Sequence, residues 1–300
     1  MDPLLPKKLM EGDIIGIVAP SGPIDAAILK KGSNILEEIG FSVKTHKHIL
    51  NRISYLAGSD DERKNDLEAM FLDKDVKAIL CARGGYGAIR TMSNLDIRIV
   101  KDNPKIFIGY SDATVFLNYF TKRTGLITFH GPMLQQIGEN DVMTLRVFKD
   151  LLTGELQRYK YRTPQLKIVK RGIAEGALAG GCLSVLLSVL GTKYEPEWEG
   201  KILFLEDVDE PLYKIDRMLT QLRLSSRLEK VMGLIVGKIN RIKDKELISL
   251  INEILSGLDI PAVYNFPAGH ILPNLTLPIG AQVILNAEEP SVTLETHWVR

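Results

Sequence analysis

Lys105-Ile106-Phe107-Ile108-Gly109-Tyr110-Ser111-Asp112 passes from a short apolar run into a glycine turn, and helical character continues to about Lys122. The same scheme stands just upstream, where the apolar run Val76 to Ala82 is followed at once by Arg83-Gly84-Gly85-Tyr86-Gly87. Further out, Asp13 to Ala19 is a β-branched run ending in the turn Pro20-Ser21-Gly22-Pro23. Ile28, Leu29, Ile35, Leu36 and Ile39 have helical spacing over Asp25 to Ile39, and Gly40 stops that helix. Phe41 to Thr45 reads as a strand, and Asp60 to Leu72 as a charged helix with Leu67, Met70 and Phe71 on one side. Leu126 to Phe129 is a further strand ending at His130-Gly131-Pro132, with a helix near Val142 to Leu152. Strands alternating with helices predict an α/β fold with a mostly parallel sheet covered on both faces. Ligands of such sheets bind beyond the carboxyl ends of the strands, where each of these glycine turns falls.

The pattern breaks between Thr153 and Pro164, where Gly154 and the polar run from Gln157 to Arg162 read as a linker. The expected division is residues 1–153, a linker over 154–168, and a second domain over 169–300. That second half is mixed. Gly180-Gly181 precedes an apolar helix, Lys201 to Leu205 and Val231 to Val236 read as strands, and Leu212 to Leu224 and Lys245 to Leu255 as helices. Ile279 to Leu285 and Ser291 to Glu295 read as strands separated by a turn at Glu288-Glu289-Pro290.

A chain of 300 residues, 45% hydrophobic, can bury a core large enough for two domains. Its 38 basic and 37 acidic residues nearly cancel, so no broad field attracts nucleic acid or anionic lipid. Two cysteines, Cys81 and Cys182, both in apolar surroundings, read as reduced thiols of a cytoplasmic protein. The N-terminus lacks the order of a signal peptide, and no run approaches the roughly 20 apolar residues of a membrane span.

Ser111 sits at a strand-to-helix junction, where a sharp turn exposes a hydroxyl above a helix N-terminus. The N–H of Asp112 is a candidate oxyanion donor there. The motif ends in Ala113 rather than a second glycine, and a serine at this place is equally suited to capping the helix. Gly84 and Gly85 let the backbone approach a ligand; Gly85 N–H is a candidate second donor, and Arg83 a candidate for gripping a carboxylate. A plain tight turn accounts for the same residues, and neither common phosphate-loop pattern fits. A serine nucleophile needs a base and an orienting carboxylate. Of the five histidines, His46 and His48 flank Lys47 as a solvated strand end or loop, and His297 is close to the terminus. That leaves His270, in Pro267-Ala268-Gly269-His270, or His130. Glu206 follows directly on the apolar run Lys201 to Leu205. The acids after it suit the start of the next helix, and without histidine or cysteine at fixed spacing they are a weak metal site.

Taken together, Val18-Ala19-Pro20-Ser21-Gly22, Arg83-Gly84-Gly85-Tyr86-Gly87, Gly109-Tyr110-Ser111-Asp112, Gly180-Gly181, Phe204-Leu205-Glu206-Asp207 and Gly269-His270 resemble the LD-carboxypeptidase family of serine peptidases over nearly the whole chain. The resemblance implies Ser111 as nucleophile, Glu206 as the triad carboxylate and His270 as base, with an oxyanion hole from the N–H groups of Gly85 and Asp112. It implies a three-layer α/β/α first domain of flavodoxin or glutamine-amidotransferase type and a smaller mixed second domain. It implies release of the terminal D-alanine from murein tetrapeptides through an acyl-enzyme, a homodimer, and no metal or organic cofactor. Arg83 and Gly84 are the candidates for substrate contact. Cys182 departs from the pattern, where a polar residue, often asparagine, is expected. Three alternatives remain: a self-immunity peptidase similar to the microcin C type acting on an aminoacyl nucleotide, a non-catalytic small-ligand-binding protein, and a cysteine amidase using Cys81.

Overall fold

The computed structural model describes residues 2–156, 158–295 and 297–300. Fourteen strands run in chain order: β1 Ile14–Val18, β2 Ser42–Thr45, β3 Val76–Cys81, β4 Ile106–Gly109, β5 Thr128–His130, β6 Tyr159–Tyr161, β7 Lys167–Lys170, β8 Ile173–Cys182, β9 Lys201–Asp207, β10 Gly233–Ile239, β11 Ala262–Phe266, β12 Leu277–Ile279, β13 Gln282–Asn286 and β14 Ser291–Leu294. They form two sheets. The first has the order β12-β5-β4-β3-β1-β2, and the second β6-β14-β13-β8-β9-β10-β11-β7.

The first sheet is parallel from β2 to β5, as the strand–helix alternation requires, and gains one antiparallel edge, β12, whose Leu277 sits opposite His130. Its covering helices start and stop on local signals. Ser59 and Glu62 form a reciprocal cap at the start of Asp60–Leu72, with bonds of 3.2 and 2.8 Å. Gly125, at φ +78°, ends the helix Thr114–Thr124. In the second sheet β8, β9, β10 and β11 are parallel and the rest antiparallel.

Several sequence expectations change. The expected linker contains β6, paired with β14, and the start of β7; Gln157 within it lies outside the described residues. Gly180-Gly181 does not merely precede a helix but ends β8, the longest strand. The expected single strand from Ile279 is two strands in different sheets, because Gly280, at φ +94°, turns the chain between β12 and β13. Short helices at Ala88–Ser93 and Ile97–Asp102, and strand β11, were not expected.

The main core is continuous across both sheets: Phe107, Phe116, Phe120 and Phe129 belong to the same buried cluster as Phe204, Ile235, Val263 and Val283. A second cluster, including Leu203, Leu205, Leu219 and Leu247, lies on the other face of the second sheet under the helices Leu212–Leu224 and Asp244–Ile254. The carboxyl ends of β4, β9 and β11 converge at the boundary of the two sheets.

Candidate active site

At the end of β4 the chain passes through extended Tyr110 to Ser111, which adopts φ +58°. A non-glycine residue in the left-handed region costs about 1–2 kcal/mol. The surroundings enforce it. A Cβ on Gly109 would lie 2.8 Å from the Ala113 Cβ, and one on Gly84 would lie 2.7 Å from the Ser111 Oγ. The Arg83-to-Gly87 loop is therefore packed directly on the serine. A turn of 3-10 helix, Ser111–Ala113, leads into Thr114–Thr124, and neither helix has a side-chain cap, so Ser111 does not serve as one. Gly85 needs its glycine for φ +115°. Neither Gly85 N–H nor Asp112 N–H has a hydrogen-bond partner among the described residues. The buried Asp112 carboxylate accepts the Ala88 N–H at 2.7 Å, tying the serine turn to the end of the glycine loop.

Glu206, wholly buried near the end of β9, accepts the His270 Nδ1 at 2.7 Å and the His270 backbone N–H at 3.2 Å, both on Oε2. Its Oε1 has no partner among the described residues. Gly269 is dictated by this contact: it holds φ +105°, and a Cβ there would collide with the Glu206 carboxylate. Burial pulls the His270 pKa down, but the hydrogen bond and charge of Glu206 outweigh it, and the imidazole titrates above its ordinary 6.5. The Tyr110 ring packs against His270 at 4.8 Å between centroids, nearly edge-on. A polar relay holds the histidine loop: Gly269 N–H donates to Asn274 Oδ1 (2.8 Å), Asn274 Nδ2 to Gln136 Oε1 (2.6 Å), and Gln136 Nε2 to the Ile271 carbonyl (3.0 Å).

Ser111 and His270 border one cavity of about 190 Å³, together with Arg83, Gly84, Gly85 and Tyr110. No hydrogen bond joins the two side chains among the described residues. Larger hollows, of about 320 and 460 Å³, lie near Trp298 and Lys105 and contain no serine–histidine pair. Met133, Gln135, Gln136 and Glu139 complete the wall. The sequence reading missed them, although they follow closely on the β5 strand end that it marked as facing the site.

His130, the other candidate base, is fully buried, and both ring nitrogens lack a partner among the described residues. Burial drives its pKa down to about 4, so it stays neutral, and it is not among the residues that line the cavity. Cys81 is buried and its thiol is pushed far up by burial, which removes it as a nucleophile. Cys182 is likewise buried, its Sγ 3.7 Å from Asp207 Oδ1. Asp207 also accepts the Ser184 N–H at 2.8 Å. His46 and His48 do lie in a turn at the end of β2 with Lys47 exposed between them, but both rings turn onto buried Asp66, at 2.5 and 2.7 Å.

The serine helix is bolted to the second sheet. Asn118 donates to the Gly180 carbonyl and accepts the Gly180 N–H, each at 2.9 Å, and Thr114 Oγ1 accepts the Cys182 N–H at 3.1 Å.

The profile of the LD-carboxypeptidase N-terminal domain matches residues 15–131, and that of the LD-carboxypeptidase C-terminal domain residues 175–285. The chain is 40% identical to a probable murein peptide carboxypeptidase of Bacillus subtilis, over 97% of this chain and 94% of the relative. It is 30% identical to a murein tetrapeptide carboxypeptidase of Pseudomonas aeruginosa, over 90% and 92%. Among solved structures it resembles an MccF-like protein from Bacillus anthracis, with a TM-score of 0.92 at 29% identity, covering 98% of this chain and all of the other. With both profiles in order along the chain and relatives aligned over nearly their full length, the protein belongs to the LD-carboxypeptidase family of serine peptidases.

Proposed function

We propose that the protein is a serine carboxypeptidase that hydrolyses the L,D-peptide bond before the terminal D-alanine of murein tetrapeptides. The observation that carries this reading is the buried Glu206–His270 pair opening on the same cavity as Ser111 in its enforced turn. Ser111 Oγ attacks the carbonyl carbon, and its proton passes to His270 Nε2. Glu206 accepts Nδ1–H and so holds the tautomer that leaves Nε2 free. The tetrahedral oxyanion is stabilised by Gly85 and Asp112 N–H, two donors with no other partner. The C–N bond breaks, D-alanine leaves with the proton from His270, and water releases the acyl group by the same steps. Arg83 binds the free carboxylate, with Gly84 beside it.

We also propose that the chain divides at residues 154–168, into an N-terminal part carrying the serine and a C-terminal part carrying Glu206 and His270. The two family profiles and the two sheets support this, with β12 crossing back to the first sheet. A cytoplasmic location is in keeping with two buried, unpaired cysteines. Among the described residues no helix is long and apolar enough to cross a membrane. The homodimer rests on the family resemblance alone.

The test is incubation of wild type and Ser111→Ala with a tetrapeptide ending in D-alanine, followed by mass spectrometry. Loss of one alanine by wild type only is expected, with at least ~10⁴-fold less in the variant. The likeness to MccF-type proteins, one of them solved in complex with aspartyl sulfamoyl adenosine, favours one second reading, hydrolysis of an aminoacyl nucleotide. An intact tetrapeptide alongside a cleaved aminoacyl nucleotide would replace the first proposal with that one.

A further inference from the structure

Far along the chain from the serine, three ligand-bearing side chains converge. His46 and His48 flank Lys47 just after β2, and Asp66 lies in the middle of the helix Asp60–Leu72. Both imidazoles aim Nδ1 at the same oxygen, Asp66 Oδ1, at 2.5 and 2.7 Å. The second oxygen, Oδ2, accepts the His48 backbone N–H at 3.1 Å, which fixes the carboxylate and leaves Oδ1 to the two rings. The side chains grade from buried to open: Asp66 is 6% exposed, His48 18% and His46 35%. The three donor atoms lie within 4.8 Å of one another.

We propose that His46, His48 and Asp66 bind a divalent transition-metal cation of the zinc class. Two imidazole nitrogens and one carboxylate oxygen are the donor set such ions take, whereas magnesium and calcium prefer oxygen throughout. Ligand atoms around tetrahedral zinc stand roughly 3.3–3.5 Å apart at bond lengths of about 2.0–2.2 Å. The two nitrogen-to-oxygen spacings, 2.5 and 2.7 Å, therefore open by about 1 Å or less to admit the ion. The exposed side of His46 leaves room for water to complete the shell. None of the three residues lines the cavity of Ser111 and His270, so the site is separate from the proposed chemistry. It has a structural consequence instead. The ion would clip the segment after β2 onto the helix Asp60–Leu72, whose buried Arg63 donates to the Gly58 carbonyl at 2.6 Å and to Thr91 Oγ1 at 3.0 Å.

The full-length protein, stripped with a chelator, is titrated with zinc chloride by calorimetry and by thermal melting. One zinc per chain is expected, with a rise in Tm of about 5 °C at a 100-fold excess over the dissociation constant. His46→Ala and His48→Ala should each weaken binding at least 10-fold, and magnesium chloride should give no rise. Asp66→Asn should behave alike, but Asp66 is buried, so the two partly exposed histidines decide if that variant misfolds. His270→Ala, which breaks the other histidine–carboxylate pair, should leave zinc binding intact. The proposal is overturned if wild type takes up no zinc saturably, if uptake survives both histidine variants, or if it vanishes in His270→Ala.

Discussion

Ser111 and His270 make opposite demands on their neighbours. The serine is held in a left-handed turn by glycines that leave no room for a Cβ, and the histidine is held by a carboxylate with no access to water. Gly84→Ala places a methyl carbon on Ser111, whose constrained backbone cannot yield. A displacement approaching 1 Å at a reacting atom costs about 100-fold, so kcat/KM should fall by that factor while the far-UV circular dichroism stays that of wild type. Unchanged kinetics would show that the loop does not position the serine. The pH profile tests the histidine. In the proposed mechanism the base must be neutral to accept the serine proton, so activity should be lost as pH falls through the His270 pKa, which lies above 6.5. Glu206→Gln removes the raising charge but keeps the burial that lowers the pKa. The acidic limb should therefore move down in pH while the maximal rate drops by about 10⁴. An unmoved limb would assign it to another group.

At the scale of elements, the serine helix Thr114–Thr124 and strand β8 are joined by a few polar contacts inside an apolar boundary. Asn118 satisfies both the N–H and the carbonyl of Gly180, at a place where β8 bends through two glycines with positive φ and has no room for side chains. Asn118→Ala leaves two buried backbone groups unpaired, an expected loss of about 2–4 kcal/mol, read from the midpoint of urea unfolding. A loss below about 0.5 kcal/mol would mean that water or a local shift replaces the amide. This joint also aligns the element carrying Ser111 with the sheet carrying Glu206, so part of the damage should appear in kcat and not only in stability.

On the scale of the whole molecule, the two halves share one core and one sheet edge. β12, from the far end of the chain, pairs with β5, and Phe204 and Val263 pack in the same cluster as Phe107 and Phe129. Residues 1–153 expressed alone would expose the β5 edge and much of that cluster. Such a fragment should lack cooperative thermal unfolding and bind a hydrophobic dye. A fragment that melts sharply would show that the N-terminal part is self-sufficient, and the boundary at 154–168 would then be a true folding boundary. In the intact chain, a single cooperative transition is the expected calorimetric result.

Local physics made much of this legible in one dimension. The alternation of apolar runs with helical spacing dictates parallel strands, because each parallel connection needs a crossover, and that places the turns after β3, β4 and β5 on one edge. The glycines of the Arg83 loop and the serine turn announced close approach, since only a missing side chain permits it. Sequence order could not show what lay far apart along the chain. On spacing alone His130 and His270 stood as equals and only the family resemblance favoured His270; in the fold, His130 has no partner among the described residues and His270 meets Glu206, 64 residues away. β12 and β13 read as one strand because a two-residue turn leaves no mark in an apolar pattern. β8 went unseen because its glycines, which weaken strand propensity, are needed where Phe204 and Thr114 press against it. His46 and His48 looked solvated because their partner, Asp66, comes from a helix beginning a dozen residues later. Which segments turn, pair and bury follows from neighbouring residues, and so was legible along the chain. The contacts that seat Glu206 on His270, and Asp66 on His46 and His48, exist only once distant segments are folded together, because burial and hydrogen bonding between them have no counterpart in one dimension.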